Sequence, residues 1–312
     1  MVHQITLPHS ELTVSPLCFG ANVFGWSIHD QSVANRLLDE VLERGVNFFD
    51  SADMYVQWVE GNVGGESERA LGEWLRSSSV SRDEVVIATK VGKMTTRPGL
   101  SPENILAAAD ESLTRLRVET IDLYYAHRDD ETVPMEDTLG AFQQLMDAGK
   151  VRAIGASNFT SARLSQALTL SEQQGLPKYV AVQNHYNLVA REPYESDMAP
   201  LVEREGLWGL PYFSLASGFL TGKYRRAEHS ESVRSARVEG DYLSEANFDT
   251  LDRLLAVSAR LGAAPATVAL AWLRQQPGVT TPIASASRIE QLDDVLAELT
   301  LSAADLAILT VP

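Results

Sequence analysis

Residues 46–55 read VNFFDSADMY, and the reading of the whole chain turns on this stretch. A short apolar run, Val46-Asn47-Phe48-Phe49, stops at Asp50, and Tyr55 follows five positions later. Aromatic and β-branched residues in so short a run predict a buried strand. A carboxylate at its end is costly to bury unless it is paired. In parallel α/β proteins ligands bind at the carboxyl ends of the strands. Asp50 and Tyr55 therefore stand where chemistry would be done.

Outward from this stretch, strand and helix patterns alternate. Strands are predicted over residues 17–21, 46–49, 85–89, 121–126, 151–156, 179–182, 207–213 and 280–283. Helices are predicted over 31–44, 67–76, 101–116, 135–148, 161–173, 200–205, 244–261, 266–275, 289–299 and 303–309. Ser101-Pro102 opens one of them with a capping hydroxyl and a first-turn proline. Ser81-Arg82-Asp83-Glu84 matches a capping box, but the β-branched run behind it predicts a strand instead. Runs at 4–7 and 12–15, around Pro8-His9-Ser10, suit a hairpin. Eight β-then-α units favour a closed (β/α)8 TIM barrel over an open sheet. No linker or composition shift divides the chain, so the expectation is α/β class: one (β/α)8 barrel domain over residues 1–312, with an N-terminal β-hairpin.

The net charge is −16, which disfavours nucleic acid and anionic membrane surfaces as partners. A phosphate-bearing ligand would need a local basic cluster or helix N-termini. Cys18 is the one cysteine, which excludes an intrachain disulfide and fits a reducing compartment. No stretch reads as a signal peptide, and none approaches the roughly 20 apolar residues of a membrane span. A cytoplasmic protein is expected, with oligomeric state open.

Four side chains fall at or just past strand ends: Asp50, Tyr55, Lys90 and His127. Each alone suits an ordinary structural position. Together, on one barrel rim, they compose an acid. A lysine beside a phenol is expected to lower the phenol's pKa. A buried carboxylate keeps that lysine charged, and a histidine can orient a carbonyl. Carbonyl reduction needs such a proton donor while hydride reaches carbon. His/Cys clusters with zinc-ligand spacing, a GxSxG elbow and a GxGxxG fingerprint are all missing from the sequence. Ser157-Asn158 and Gln183-Asn184 offer groups for a carboxamide, and Tyr212 a face for a flat ring. SLASGFLTGK, residues 214–223, offers small residues and then Lys223 for phosphate. Ser287-Arg288-Ile289-Glu290 reads as a capping box with a first-turn arginine, a suitable phosphate seat.

These motifs, in this order, resemble the aldo-keto reductase family. FDSADMY, IATK from Ile87, DLYYAHRDD from Asp122, VRAIGASNF from Val151, the Gln183 region, SLASGFLTGKY and PIASASRIEQL carry the resemblance, from about residue 12 to residue 300. It implies a barrel binding NADP(H) at its C-terminal rim and a small-molecule carbonyl substrate. It implies Tyr55 as general acid, tuned by Lys90 and Asp50, with His127 on the substrate oxygen. Ser157, Asn158 and Gln183 would hold the carboxamide, and Tyr212 would stack on the nicotinamide. Leu215, Ser217, Gly218, Leu220 and Lys223 would wrap the pyrophosphate. Ser287, Arg288 and Gln291 would meet the adenosine end, with Arg288 favouring NADPH. The chain departs from the family with Ser285 for Gly, Val295 for Asn and a lengthened link at residues 56–64. Trp26 and Trp58, in loops of the same rim, are candidate walls of the substrate pocket. Residues 225–240 read as a polar solvated loop. The alternative function is a nucleotide-binding regulatory subunit of the channel-associated type on the same barrel.

Overall fold

The computed structural model describes residues 4–6, 10–224, 226, 238 and 240–311. Eight parallel strands form the barrel: β3 (Cys18–Gly20), β4 (Phe48–Asp50), β5 (Val86–Val91), β6 (Ile121–Ala126), β7 (Val151–Ser157), β8 (Tyr179–Gln183), β9 (Trp208–Gly209) and β10 (Ile283–Ala284). β10 pairs with β3, and the others follow in chain order. The seam between β9 and β10 is joined by Ile283 N–H to Pro211 O at 2.9 Å and Thr280 N–H to Gly209 O at 2.9 Å. Ahead of the barrel, β1 (Ile5–Thr6) pairs antiparallel with β2 (Thr13–Val14), which is the expected hairpin. Its expected turn at Pro8-His9 lies outside the described residues. Leu12 and Val14 pack with Cys18, Phe48 and Val86, so the hairpin closes the barrel's N-terminal end.

The helices clothe the strands. α1 (Gln31–Glu43), α2 (Glu66–Ser77), α3 (Pro102–Leu116), α4 (Met135–Asp147) and α5 (Ser161–Gln174) follow β3 to β7 in turn. α6 (Ala199–Glu205), α7 (Glu245–Leu261), α8 (Pro265–Arg274), α9 (Leu292–Leu296) and α10 (Ala303–Thr310) follow among the described residues. Asp30, Ser101, Thr160, Ser244 and Ser302 accept N-terminal N–H groups, so these helices start at residues whose short side chains can cap them. No single described helix is long and apolar enough to cross a membrane.

Side chains alternate along each strand. Phe48, Ala88, Leu123 and Ala181 fill the barrel interior, while Phe49, Ile87, Tyr124 and Val182 pack under the helices. Burying one such large apolar side chain contributes about 1.5–3 kcal/mol. The parity matters for function: Asp50 shares the inward face with Phe48, and Lys90 shares it with Ala88.

Three expectations are corrected. The box at residues 81–84 is real: Glu84 accepts from Ser81 N–H at 2.7 Å and closes a 3-10 turn, Arg82–Glu84, before β5. Turn and strand coexist because Arg82 pins the turn to Asp122 at 2.5 Å, from which the strand proceeds. The strands expected at 207–213 and 280–283 shrink to two-residue ladders, because Pro211 and Pro282 have no N–H to donate. The helix expected at 289–299 divides into a 3-10 turn, Ile289–Gln291, and the short α9.

Gly209 marks the seam. A Cβ there would collide with the Gly278 carbonyl and the Tyr194 hydroxyl. Gly209→Ala is expected to destabilise the fold by about 1–3 kcal/mol, the usual scale of overpacking. Urea unfolding monitored by tryptophan fluorescence measures this, and an unchanged midpoint would contradict the close approach.

Candidate active site

The two-residue period and the strand register bring together groups far apart in sequence. Asp50 is level with Ala88, one inward step below Lys90, and Lys90 is level with Tyr125 on β6. Ser157 and Gln183, the last residues of β7 and β8, are level with each other. Lys90 is fully buried. Its Nζ donates to Asp50 Oδ2 at 2.6 Å, to the Ser51 carbonyl at 2.6 Å and to the Tyr55 hydroxyl at 2.9 Å. Tyr55 also donates to Asp50 Oδ2 at 3.2 Å. The other Asp50 oxygen accepts from Gln183 Nε2 at 2.9 Å. His127 meets the Tyr55 ring edge-on at 6.0 Å between centroids, and its Nδ1 has no hydrogen-bond partner among the described residues. All four side chains singled out in the sequence therefore converge at one end of the barrel.

The electrostatics correct one expectation. Burial, then the Asp50 carboxylate, push the Tyr55 phenol well above its usual range rather than lowering it. Burial pulls Lys90 down, and Asp50 opposes that shift. Burial, then the charges of Lys90, Lys93 and Arg128, hold His127 well below the usual histidine range, so its imidazole is neutral.

Beside this cluster lies a shelf of amides. Asn158 Nδ2 donates to the His127 carbonyl at 2.9 Å and to Ser157 Oγ at 3.0 Å, while its Oδ1 accepts from the Tyr212 hydroxyl at 2.7 Å. Ser157 Oγ donates to the Gln183 carbonyl at 2.8 Å. One face of Tyr212 is stacked by His185, 5.5 Å away and 11° from parallel. The sequence reading passed over His185 and the Ser51 carbonyl. A backbone acceptor leaves no residue-type signal, and a lone histidine past a strand leaves little.

The segment over Ala216–Thr221 is a pair of tight turns broken by a kink at Ser217 and Gly218, whose backbone is not helical. Ala216, Ser217 and Gly218 take consecutive left-handed conformations, at φ 48°, 56° and 98°. The N–H groups of Gly218 and Leu220 both donate to the Leu215 carbonyl, at 2.8 and 3.3 Å. Ser217 Oγ is buried with no hydrogen-bond partner among the described residues. A Cβ at Gly218 would come within 3.2 Å of Lys223 Nζ, so the glycine keeps the turn open beside that cation. The Leu220 side chain lies in the core. At the next segment the expected box is closed by Gln291, not Glu290: Gln291 Oε1 accepts from Ser287 N–H at 2.8 Å and Arg288 N–H at 3.2 Å. Arg288 is thus the cap residue, not a first-turn residue, and it is exposed, 4.0 Å from Glu290. Ser285 Oγ donates to the Gly20 carbonyl at 2.7 Å, and Val295 is buried.

Over the cluster stand the two tryptophans. Trp58, about half exposed at 48%, meets Trp26 edge-on at 5.7 Å and Tyr55 at 6.3 Å. The lengthened link is pinned on both sides. Thr95 N–H donates to Gln57 Oε1 at 3.2 Å, and Asn62 Nδ2 donates to the Gly25 carbonyl at 3.1 Å. Val56 turns the chain directly after Tyr55 at φ 65°, a strained conformation for a β-branched residue. The segment expected as a solvated loop, residues 225–240, lies mostly outside the described residues; Arg226 within it pairs with Asp249 and Asp252 on α7.

Residues 16–310 match the Aldo/keto reductase family. An uncharacterized oxidoreductase of Bacillus subtilis, YrpG, is 32% identical over 95% of this chain and 90% of its own length. A probable voltage-gated potassium channel subunit beta of Oryza sativa is 32% identical, covering 92% of this chain and 88% of its own. The L-glyceraldehyde 3-phosphate reductase of Escherichia coli is also 32% identical, covering 87% and 81%. With a (β/α)8 barrel, a family match over nearly its whole length and relatives that span most of both chains, this protein belongs to the aldo/keto reductase family of oxidoreductases.

Proposed function

We propose that this protein, acting as one domain over residues 1–312, is an NADPH-dependent reductase that converts an aldehyde or ketone to an alcohol, with Tyr55 as the proton donor. The observation that carries the reading is the Tyr55 hydroxyl, 2.9 Å from a fully buried lysine ammonium and 3.2 Å from its carboxylate partner. A binding module has no need to sequester a charged pair against a phenol.

The residues fit a nicotinamide dinucleotide. The orphaned Ser217 hydroxyl, the left-handed turn around it and the neighbouring Lys223 compose a cradle for a diphosphate. Leu215, Gly218 and Leu220 shape that cradle through their backbones. Ser157, Asn158, Gln183 and Tyr212 would hold the nicotinamide end, and Ser287, Arg288 and Gln291 the adenosine end. When bound, the cofactor supplies hydride to the carbonyl carbon. Tyr55 gives its proton to the carbonyl oxygen, and a phenol held protonated is in the form a donor needs. The Lys90 ammonium stabilises the phenolate left behind, Asp50 keeps Lys90 charged and placed, and neutral His127 orients the carbonyl. Trp26 and Trp58 wall the side from which a substrate would enter.

The regulatory-subunit alternative draws on relatives named as potassium channel beta subunits. Turnover separates the two readings, since regulation alone does not require it.

Tyr55→Phe is expected to lower kcat about 10²–10⁴-fold, the usual scale of a lost general acid, with NADPH binding, read by quenching of tryptophan fluorescence, unchanged. Turnover that survives the substitution would reject Tyr55 as donor. Arg288→Ala is expected to weaken NADPH several-fold and leave NADH alone; equal weakening of both would remove Arg288 from the 2′-phosphate. Trp58→Ala is expected to shift kcat/KM several-fold toward small aldehydes and away from aromatic ones. Unchanged ratios across an aldehyde panel would leave Trp58 a packing residue of its loop.

A further inference from the structure

Behind the Tyr55 loop, on the helix side of the strands, lies a second buried charge cluster that the proposed mechanism does not use. Asp53 follows β4, Glu68 is on α2, Thr89 on β5 and Tyr124 on β6; Asp53 is 1% exposed and the others are fully buried. Arg115 on α3 donates to Glu68 at 2.6 Å, and Thr89 donates to the other Glu68 oxygen at 2.5 Å. Arg115 also reaches Glu111 at 3.3 Å, and Arg97 clamps Glu111 through two bonds of 2.7 Å. Three carboxylates thus face two guanidiniums. The uncompensated one is Asp53: neither of its oxygens has a hydrogen-bond partner among the described residues, and neither does the Tyr124 hydroxyl nearby.

A buried carboxylate with no hydrogen-bonded cation or donor among the described residues is expected to favour its protonated form. Burial, then Glu68, raise Asp53 to about 7, against Arg115, the Met54 N–H, which stops short of hydrogen-bond geometry, and Arg97. Asp53 is also tied to the site. Its N–H donates to the Lys90 carbonyl at 3.1 Å, and its negative charge strengthens the hold of Lys90 on its own proton.

We propose that Asp53 is a proton-binding positioning residue whose protonation state sets the charge behind Lys90 and Tyr55. The proposal rests on the reading of Tyr55 as proton donor. The proton comes from solvent: with it bound, Asp53 is neutral and the phenol gives up its proton more readily. With it lost, a negative charge lies behind the Lys90–Tyr55 pair and the phenol holds its proton more tightly. Reduction is therefore expected to fall several-fold as pH rises through about 7, where Asp53 ionises.

The test labels the tyrosines with carbon-13 at Cζ and follows the Tyr55 resonance, assigned as the one missing in Tyr55→Phe, by NMR across that range. It uses the wild-type protein, Asp53→Asn and Glu68→Gln, and records kcat/KM for aldehyde reduction on the same samples. The expected result is an inflection near neutral pH in the wild type, absent in Asp53→Asn. In Glu68→Gln it moves to lower pH, because Arg115 is then released to pair with Asp53. The rate profile loses its step in Asp53→Asn, whereas a purely structural role would lower the rate at every pH and keep the step. A wild-type resonance without the inflection, or an inflection that persists in Asp53→Asn, overturns the proposal. If Asp53→Asn does not fold, an inflection in Glu68→Gln that fails to move does the same. The NMR reading does not require turnover. No turnover with the inflection intact defeats the reductase reading alone, and turnover without it defeats this one alone.

Discussion

The structure depends on a lysine that has no access to water. Desolvating Lys90 is costly, and the attraction of Asp50 offsets that cost only because the geometry is close and the remaining donors are satisfied. Nζ meets a carboxylate, a backbone carbonyl and a phenol within 2.9 Å. Removing one partner of such a pair typically costs about 3–5 kcal/mol, because the other is left buried and unpaired. The neighbours are accordingly arranged around it. Gln183 from four strands away takes the second Asp50 oxygen, and the turn at Val56 holds Tyr55 against the ammonium.

That arrangement also explains why the phenol does not behave as a lysine–tyrosine pair alone would suggest. Lys90 is shared with Asp50, and the Asp50 carboxylate itself disfavours a second negative charge on Tyr55. Burial acts first and in the same direction, and the phenol keeps its proton. In the proposed reduction the lysine's role is to stabilise the phenolate rather than to acidify the resting phenol. His127 follows the same logic in reverse: a buried imidazole next to cations stays neutral and can donate or accept without itself becoming charged.

The two sides of the barrel wall carry different polar devices. Inside, every polar group of the Asp50–Lys90–Tyr55 set has a partner. Outside, between the strands and α2 and α3, the Glu68–Arg115 pair is well satisfied while Asp53 is not. Buried polar networks rigidify where they are complete and respond to their surroundings where they are not. The incomplete one sits directly behind the loop that carries Tyr55.

The sequence by itself determined the barrel. Eight apolar runs separated by amphipathic helices admit few other arrangements, and the hairpin and the Ser101 cap follow from residue type. It also marked the residues that meet at the rim, because a charged side chain ending an apolar run is conspicuous. Tertiary structure alone decided how those residues share their charges. The direction of the Tyr55 shift depends on how deeply it is buried and on the Asp50 carboxylate that lies against it. Trimming of β9 and β10 depends on which N–H groups a proline removes from the ladder. The edge-on packing of Trp58 on Trp26 and the share of Glu68 that Arg115 and Thr89 take, leaving Asp53 without a hydrogen bond among the described residues, depend on contacts across long sequence separations. Local pattern reports what a residue can do; which partner reaches it first is settled by packing.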